Sequence, residues 1–171
     1  MKNIILIGPM GSGKSTIGRM LAEELGMNFV DTDEELVERT GVAISVIFDI
    51  EGEKGFRQRE AKLISELSAL EGSVIATGGG AVLLPENRSC LRESGLVVYL
   101  QADIEVLYER TKNSKTRPLL VGQDIRKKLS EILQQRGSLY LETAHLTVKT
   151  GKMNARRMTV KIVSKVREQN Q

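Results

Sequence analysis

The feature that most constrains this chain is the run Gly8-Pro-Met-Gly-Ser-Gly-Lys-Ser15, which matches the phosphate-binding pattern G-x-x-x-x-G-K-[ST]. The β-branched run at residues 3–8 predicts a buried strand before it, and residues 14–25 show helical spacing behind it. Glycine lets such a loop point several backbone N–H groups at one anion, and the helix N-terminus adds its dipole. A chance glycine-rich turn would not have both flanks, so the run predicts a nucleotide-phosphate loop.

Each residue of this loop has an expected partner. Lys14 is predicted to reach the β- and γ-phosphates of ATP, and Ser15 to ligate one Mg²⁺ ion. Thr16 is expected to contact the α-phosphate. The remaining predicted ATP-binding residues of the loop are Gly11, Ser12 and Gly13.

Strand-like and helix-like segments alternate along the whole chain. Five strands are predicted at residues 3–8, 28–30, 74–77, 96–100 and 146–148. Helices are predicted at residues 14–25, from about 33 toward 41, and at 42–49, 56–70, 85–93, 104–110, 124–142 and 155–166. Thr32 or Asp33 is expected to cap the helix after the second strand. The alternation favours βαβ units around a parallel sheet, in a single domain over residues 1–171.

Composition excludes several classes of protein. The net charge of +3 is modest, and the signature motifs of nucleic-acid modules are missing, so no nucleic-acid partner is expected. The apolar runs are too short to span a bilayer, and no signal-peptide pattern opens the chain. Cys90 is the only cysteine and His145 the only histidine, which excludes an internal disulfide and a histidine metal cluster. We therefore expect a cytoplasmic protein, and nothing demands more than a monomer.

The phosphate loop alone indicates a nucleotide but not a reaction. The guanine-reading and switch motifs of GTPases are missing, and the length suits a small-molecule kinase. Six short motifs in a fixed order carry a more specific resemblance: GPMGSGKSTIGR (8–19), FVDTD (29–33), GEKGFRQRE (52–60), TGGG (77–80), RPLL (117–120) and R-x-x-x-Y-x-x-x-A (136–144). With these motifs the chain resembles the shikimate kinase family over nearly its whole length.

The resemblance implies a fold and a reaction. The expected fold is a three-layer αβα P-loop kinase with a five-stranded parallel sheet in the order 2-3-1-4-5 and a mobile lid at about residues 112–124. The expected reaction is ATP-dependent phosphorylation of the 3-hydroxyl of shikimate, a step toward chorismate and the aromatic amino acids. Two alternatives stay open: another small P-loop kinase, such as a gluconate kinase, and a non-catalytic nucleotide-binding domain.

Two carboxylates follow the second predicted strand. Ligands of parallel α/β sheets bind outside the carboxyl ends of the strands, where Asp31 and Asp33 are expected. The resemblance implies that Asp33 binds the substrate hydroxyls and that Asp31 lies near Mg²⁺. Asp33 could also accept the proton of the attacking hydroxyl. The structural alternative is helix capping alone.

Two arginines and a glycine run complete the implied acceptor site. On spacing alone, Arg57 and Arg136 could be solvated helix-surface residues. The resemblance instead makes both of them clamps for the substrate carboxylate, with Glu60 holding Arg57. Gly78, Gly79 and Gly80 would form the floor of the substrate site, with the Gly79 N–H as the expected donor and one of the three at a positive φ.

The last implied residues lie on the nucleotide side. Arg117 falls in a polar segment that a proline interrupts, and the resemblance implies that it lies on the lid, contacts ATP and acts in catalysis. Arg110 is the implied adenine-stacking residue, and Met153 the implied adenine-side contact after the fifth strand.

Overall fold

The computed structural model describes residues 2–113, 122, 124–151 and 153–169. Its five strands form one parallel sheet in the order β2-β3-β1-β4-β5, as expected. The strands are β1 (Asn3–Ile7), β2 (Asn28–Asp31), β3 (Ser73–Ala76), β4 (Gly95–Ala102) and β5 (Leu146–Thr150). The described helices are α1 (Lys14–Leu25), α2 (Thr32–Thr40), α3 (Ile44–Ser68), α4 (Pro85–Ser94), α5 (Ile104–Thr111), α6 (Ile125–Thr143) and α7 (Ala155–Gln169).

The central strand β1 is buried on both faces, as its β-branched sequence predicts. Ile5 pairs with Ile75 on one side and Val97 on the other, and all three pack in the same core cluster as α3, α4 and α6. Successive strand residues point to opposite faces, so Ile4 and Val98 pack with α1 and α7 instead. The result is the expected three-layer arrangement.

One local prediction is confirmed and one is wrong. The two helices predicted at 42–49 and 56–70 are present as two helical segments of α3, which meet at a kink at Gly52 with φ 70° and ψ −179°. A single glycine at positive φ makes that turn. The cap predicted at Thr32 or Asp33 is wrong, because Asp31 caps α2: its Oδ1 accepts from the N–H groups of Asp33 and Glu34 at 3.0 and 3.3 Å.

The predicted lid and its Arg117 lie outside the described residues, apart from residues 112, 113, 122 and 124 at its ends. Among the helices that the structure describes, none combines the length and apolar character needed to cross a membrane.

Candidate active site

The loop between β1 and α1 wraps around its own lysine. Gly8, Gly11 and Gly13 have positive φ angles of 146°, 81° and 94°, which explains glycine at these positions. Lys14 Nζ donates to the carbonyls of Gly8 and Pro9 at 2.8 and 2.9 Å. The loop therefore orients the Lys14 ammonium group through its own backbone.

A cleft of ≈ 300 Å³ opens above this loop. It lies at the carboxyl ends of the strands, where ligands of such sheets bind. Its lining includes these predicted residues: Gly11, Gly13, Lys14, Ser15, Thr16, Asp31, Asp33, Gly78, Gly79 and Arg110. Ser12 differs, because its side chain is fully buried and its N–H donates to the Pro9 carbonyl at 3.2 Å. Ser12 thus supports the loop, and its direct contact with ATP stays a prediction.

The Ser15 hydroxyl and the Asp31 carboxylate meet at the edge of this cleft. Ser15 Oγ donates to Asp31 Oδ2 at 2.5 Å, while the other Asp31 oxygen caps α2. Mg²⁺ prefers oxygen ligands and usually takes one or two protein carboxylates together with phosphates and water. A hydroxyl and a carboxylate already in contact fit that requirement. No cluster of three or more metal-ligating side chains is found within the described part of the chain.

Asp33 lies where the phosphate cleft meets a group of buried charges. It lines the cleft together with Lys14. It also acts on Glu60, whose pKa the negative charge of Asp33 helps to raise. An acceptor hydroxyl bound at Asp33 would therefore face the phosphate loop.

Arg57, Glu60 and Arg136 form the buried group of charges. Arg57 donates to Glu60 Oε1 at 2.9 Å, so Glu60 holds Arg57 as predicted. Burial raises the pKa of Glu60, and the charges of Arg57 and then of Arg136 oppose that rise. The Glu60 side chain is fully buried, and the Arg57 side chain is only 12% exposed. Arg136 is 4% exposed, so neither arginine is a solvated surface residue.

Three polar atoms of this group are positioned for an additional partner. Arg57 Nε, Glu60 Oε2 and Arg136 Nε are buried and have no hydrogen-bond partner among the described residues. Buried polar atoms are nearly always hydrogen-bonded, so donors left over on two converging arginines indicate an anionic ligand. Neither arginine belongs to the lining of the 300 Å³ cleft, and Arg57 adjoins it through Gly80 of the glycine run.

The glycine run after β3 is needed for close approach and not for an unusual backbone angle. None of the three glycines has a positive φ, so that expectation is wrong. A Cβ on Gly78 would lie 2.7 Å from Glu60 Oε2, and one on Gly80 would overlap the Arg57 guanidinium. A Cβ on Gly79 would lie 3.3 Å from the Met10 nitrogen of the phosphate loop. The run therefore separates the buried charges from the phosphate loop with the least possible bulk.

Two residues that the sequence does not assign to the site order this run. Thr32, expected only as a helix cap, accepts through its Oγ1 from the Gly78 N–H at 3.0 Å. Tyr140 donates its hydroxyl to the Gly79 carbonyl at 2.5 Å. Tyr140 follows Arg136 by four residues, which places both on one helix face. This spacing is the only feature of the sequence that indicates a position for Tyr140 near the site.

A smaller cleft of ≈ 230 Å³ adjoins the phosphate loop on the side of α7. Arg110 and Met153 both line it, together with Thr16 and Thr150. Arg110 also donates to the Gly11 carbonyl at 3.0 Å, which fixes its guanidinium beside the loop. The structure thus brings the two predicted adenine-side residues to one cavity.

Known proteins resemble this chain over nearly its whole length. A family model described as shikimate kinase matches residues 10–167. The shikimate kinase of Nitrosomonas europaea is 49% identical over 169 residues, covering 99% of this chain and 80% of that protein. The shikimate kinase of Mannheimia succiniciproducens is 50% identical over 163 residues, covering 95% and 93%. A structure of shikimate kinase from Acinetobacter baumannii in complex with shikimate has a TM-score of 0.96 and 44% identity, covering 99% and 94%. This chain belongs to the shikimate kinase family.

Proposed function

We propose that this protein transfers the γ-phosphoryl group of ATP to the 3-hydroxyl of shikimate, giving ADP and 3-phosphoshikimate on the route to chorismate. The observation that carries the proposal is the position of Asp33, between the phosphate loop and two buried arginines. A phosphate donor and an anionic hydroxyl acceptor would meet at that carboxylate. The Acinetobacter baumannii enzyme, 44% identical, forms a complex with shikimate, which supports the choice of acceptor.

The acceptor is held by charge. Arg57 and Arg136 bind the shikimate carboxylate, because a guanidinium and a carboxylate form parallel charge-assisted hydrogen bonds. Glu60 fixes Arg57, and Asp33 orients the 3-hydroxyl and accepts its proton as the bond to phosphorus forms. The Gly78 N–H is bonded to Thr32, so the N–H groups of Gly79 and Gly80 donate to substrate oxygens. This chemistry needs little beyond positioning.

The donor is held by the loop. Its backbone N–H groups and Lys14 bind the phosphates and stabilise the charge that develops during transfer. One Mg²⁺ held by Ser15 and Asp31 would neutralise charge on the β- and γ-phosphates. Arg110 and Met153 line the cavity for the adenine, and Arg117 supplies a further positive charge from the lid. A cytoplasmic monomer completes the proposal.

A coupled ADP-release assay tests this function. ATP and Mg²⁺ are held constant while shikimate, quinate, gluconate and AMP are compared as acceptors. We expect turnover that depends on shikimate and is lost in the Lys14→Met variant. Preference for gluconate or AMP would leave a kinase of another specificity. Equal background rates with all four acceptors would favour a non-catalytic nucleotide-binding domain.

A further inference from the structure

We propose that Tyr140 is a positioning residue of the acceptor site, whose hydroxyl fixes the Gly79–Gly80 peptide relative to Arg136. This inference rests on the proposed function for its kinetic consequence. Its structural part concerns the protein without ligands. Nothing in the expected chemistry requires a tyrosine at this place.

The Tyr140 hydroxyl joins α6 to the backbone of the glycine run. Tyr140 is fully buried, and its ring stacks on Tyr99 with centroids 5.0 Å apart and an interplanar angle of 24°. A phenylalanine ring would make the same stack. The hydroxyl adds the 2.5 Å hydrogen bond to the Gly79 carbonyl, which joins α6 to the loop after β3. The bond therefore contributes more to orientation than to packing.

Fixing this carbonyl also fixes a donor. In a trans peptide the C=O of Gly79 and the N–H of Gly80 point in opposite directions, and the structure contains no cis peptide among the described residues. Because Tyr140 holds the carbonyl, the N–H of Gly80 is held facing away from Tyr140. The Arg57 guanidinium lies directly against Gly80. The peptide and Arg57 thus form one surface for the acceptor.

The hydroxyl of Tyr140 also lies in the field of both arginines. Burial raises the pKa of Tyr140, and the charge of Arg136, its hydrogen bond with Tyr140 and the charge of Arg57 oppose the rise. Gly79 borders the phosphate loop on its other side, near Met10 and Gly8. One hydrogen bond consequently links the helix that carries Arg136 to the backbone that separates acceptor from donor.

Kinetics of Tyr140→Phe test the inference, with Tyr99→Phe as the matched control. Both variants delete one phenolic oxygen from the same stacked pair, but the described residues offer the Tyr99 hydroxyl no hydrogen-bond partner. We expect the KM for shikimate to rise roughly tenfold in Tyr140→Phe, because a buried carbonyl loses its donor. The KM for ATP should stay within about twofold, since the loop backbone is intact. Tyr99→Phe should resemble wild type.

Amide hydrogen exchange in the unliganded protein provides a second readout. The amides of Gly78 and Ala81 are hydrogen-bonded on either side of the tethered peptide. Both should exchange faster in Tyr140→Phe and at the wild-type rate in Tyr99→Phe, while Ile75 in β3 is unchanged. If wild type did not phosphorylate shikimate, the proposed function would fail, yet exchange would still decide whether Tyr140 orders this peptide. Equal exchange in both variants, or equal increases in the two KM values, would overturn the inference.

Discussion

The phosphate loop differs in construction from the group of residues that we propose binds the acceptor, here called the acceptor side: Asp33, Arg57, Glu60 and Arg136. The loop is one continuous stretch, and its lysine is oriented by carbonyls only five and six positions away. The acceptor side takes Asp33 from α2, Arg57 and Glu60 from α3, and Arg136 from α6. Its charges are buried against one another, across a run of three glycines.

This difference determines how each side should respond to substitution. Because the phosphate loop is held by its own backbone, a substitution in it should change the binding of the nucleotide and not that of the acceptor. Opposite charges in a buried cluster stabilise one another. Replacing one of them therefore changes how much each of the others contributes to binding. Asp33 belongs to both sides and should show the largest effect.

Asp33→Asn tests that junction and should have the largest effect. The amide keeps the shape of the carboxylate but cannot accept a proton, so we expect kcat to fall by about 10²–10⁴-fold. ATP affinity, measured by calorimetry, should be unchanged. A loss of ATP affinity with kcat retained would instead assign Asp33 to the nucleotide side.

Arg57→Lys and Arg136→Lys test the coupling within the acceptor side. Each lysine keeps the charge but cannot form two parallel hydrogen bonds, so the KM for shikimate should rise roughly 10–100-fold. The KM for ATP should not change. Both arginines act on Glu60, so the double variant should lose less than the product of the single losses.

The exposed Arg39 of α2 provides a control for these variants. It pairs with Glu35 and Glu66 away from the cleft, and its side chain is 45% exposed. Arg39→Lys should leave both KM values unchanged. Fully multiplicative losses in the Arg57 and Arg136 variants would show that the two arginines act independently, which contradicts a coupled cluster.

The same contrast explains how much the sequence predicts. The fold follows from local patterns, because buried strands and amphipathic helices alternate in a recognisable order. The phosphate loop follows from one local motif. The break between the helices predicted at 42–49 and 56–70 also follows, but residue types around a turn do not show that Gly52 alone makes the kink.

The acceptor side is predictable only through the family resemblance. From sequence alone, an arginine on a helix is expected to be exposed to solvent. The packing of the fold nevertheless buries Arg136. The glycine run was expected to need a positive φ, but glycine is required there by the approach of Arg57, Glu60 and Met10. Such contacts between distant segments leave no periodic signal in the sequence.

Gly80→Ala and Gly79→Ala separate the two sides of the glycine run, with a smaller effect. A Cβ on Gly80 overlaps Arg57, which Glu60 holds in place, so the KM for shikimate should rise by roughly tenfold with the KM for ATP unchanged. A Cβ on Gly79 presses on the phosphate loop at Met10, so both KM values should rise. A rise in the KM for ATP in Gly80→Ala but not in Gly79→Ala would mean that Gly80, and not Gly79, borders the nucleotide side.

Glu60→Gln tests the buried carboxylate of the acceptor side through the stability of the fold instead of through kinetics. Burial raises the pKa of Glu60 above its ordinary value of 4.5, so the folded protein keeps this proton to a higher pH than the unfolded chain does. Its contribution to the free energy of unfolding is therefore complete below pH 4.5 and is lost as pH rises through the folded pKa. Glutamine does not titrate. Urea unfolding from pH 4 to 8 should show wild type losing stability relative to Glu60→Gln, by about 1.4 kcal/mol for each pH unit separating the two titrations.

Glu66→Gln supplies a control of opposite sign from the same helix. The Arg39 guanidinium lowers the pKa of Glu66, so that residue contributes stability above the unfolded pKa and loses it as pH falls. The Glu66 side chain is 44% exposed, and solvent screening keeps its effect small. Opposite pH trends for the two variants would separate a buried, functional charge from a surface ion pair. Parallel trends would contradict a raised pKa for Glu60, because Arg57 and Arg136 would then more than offset its burial.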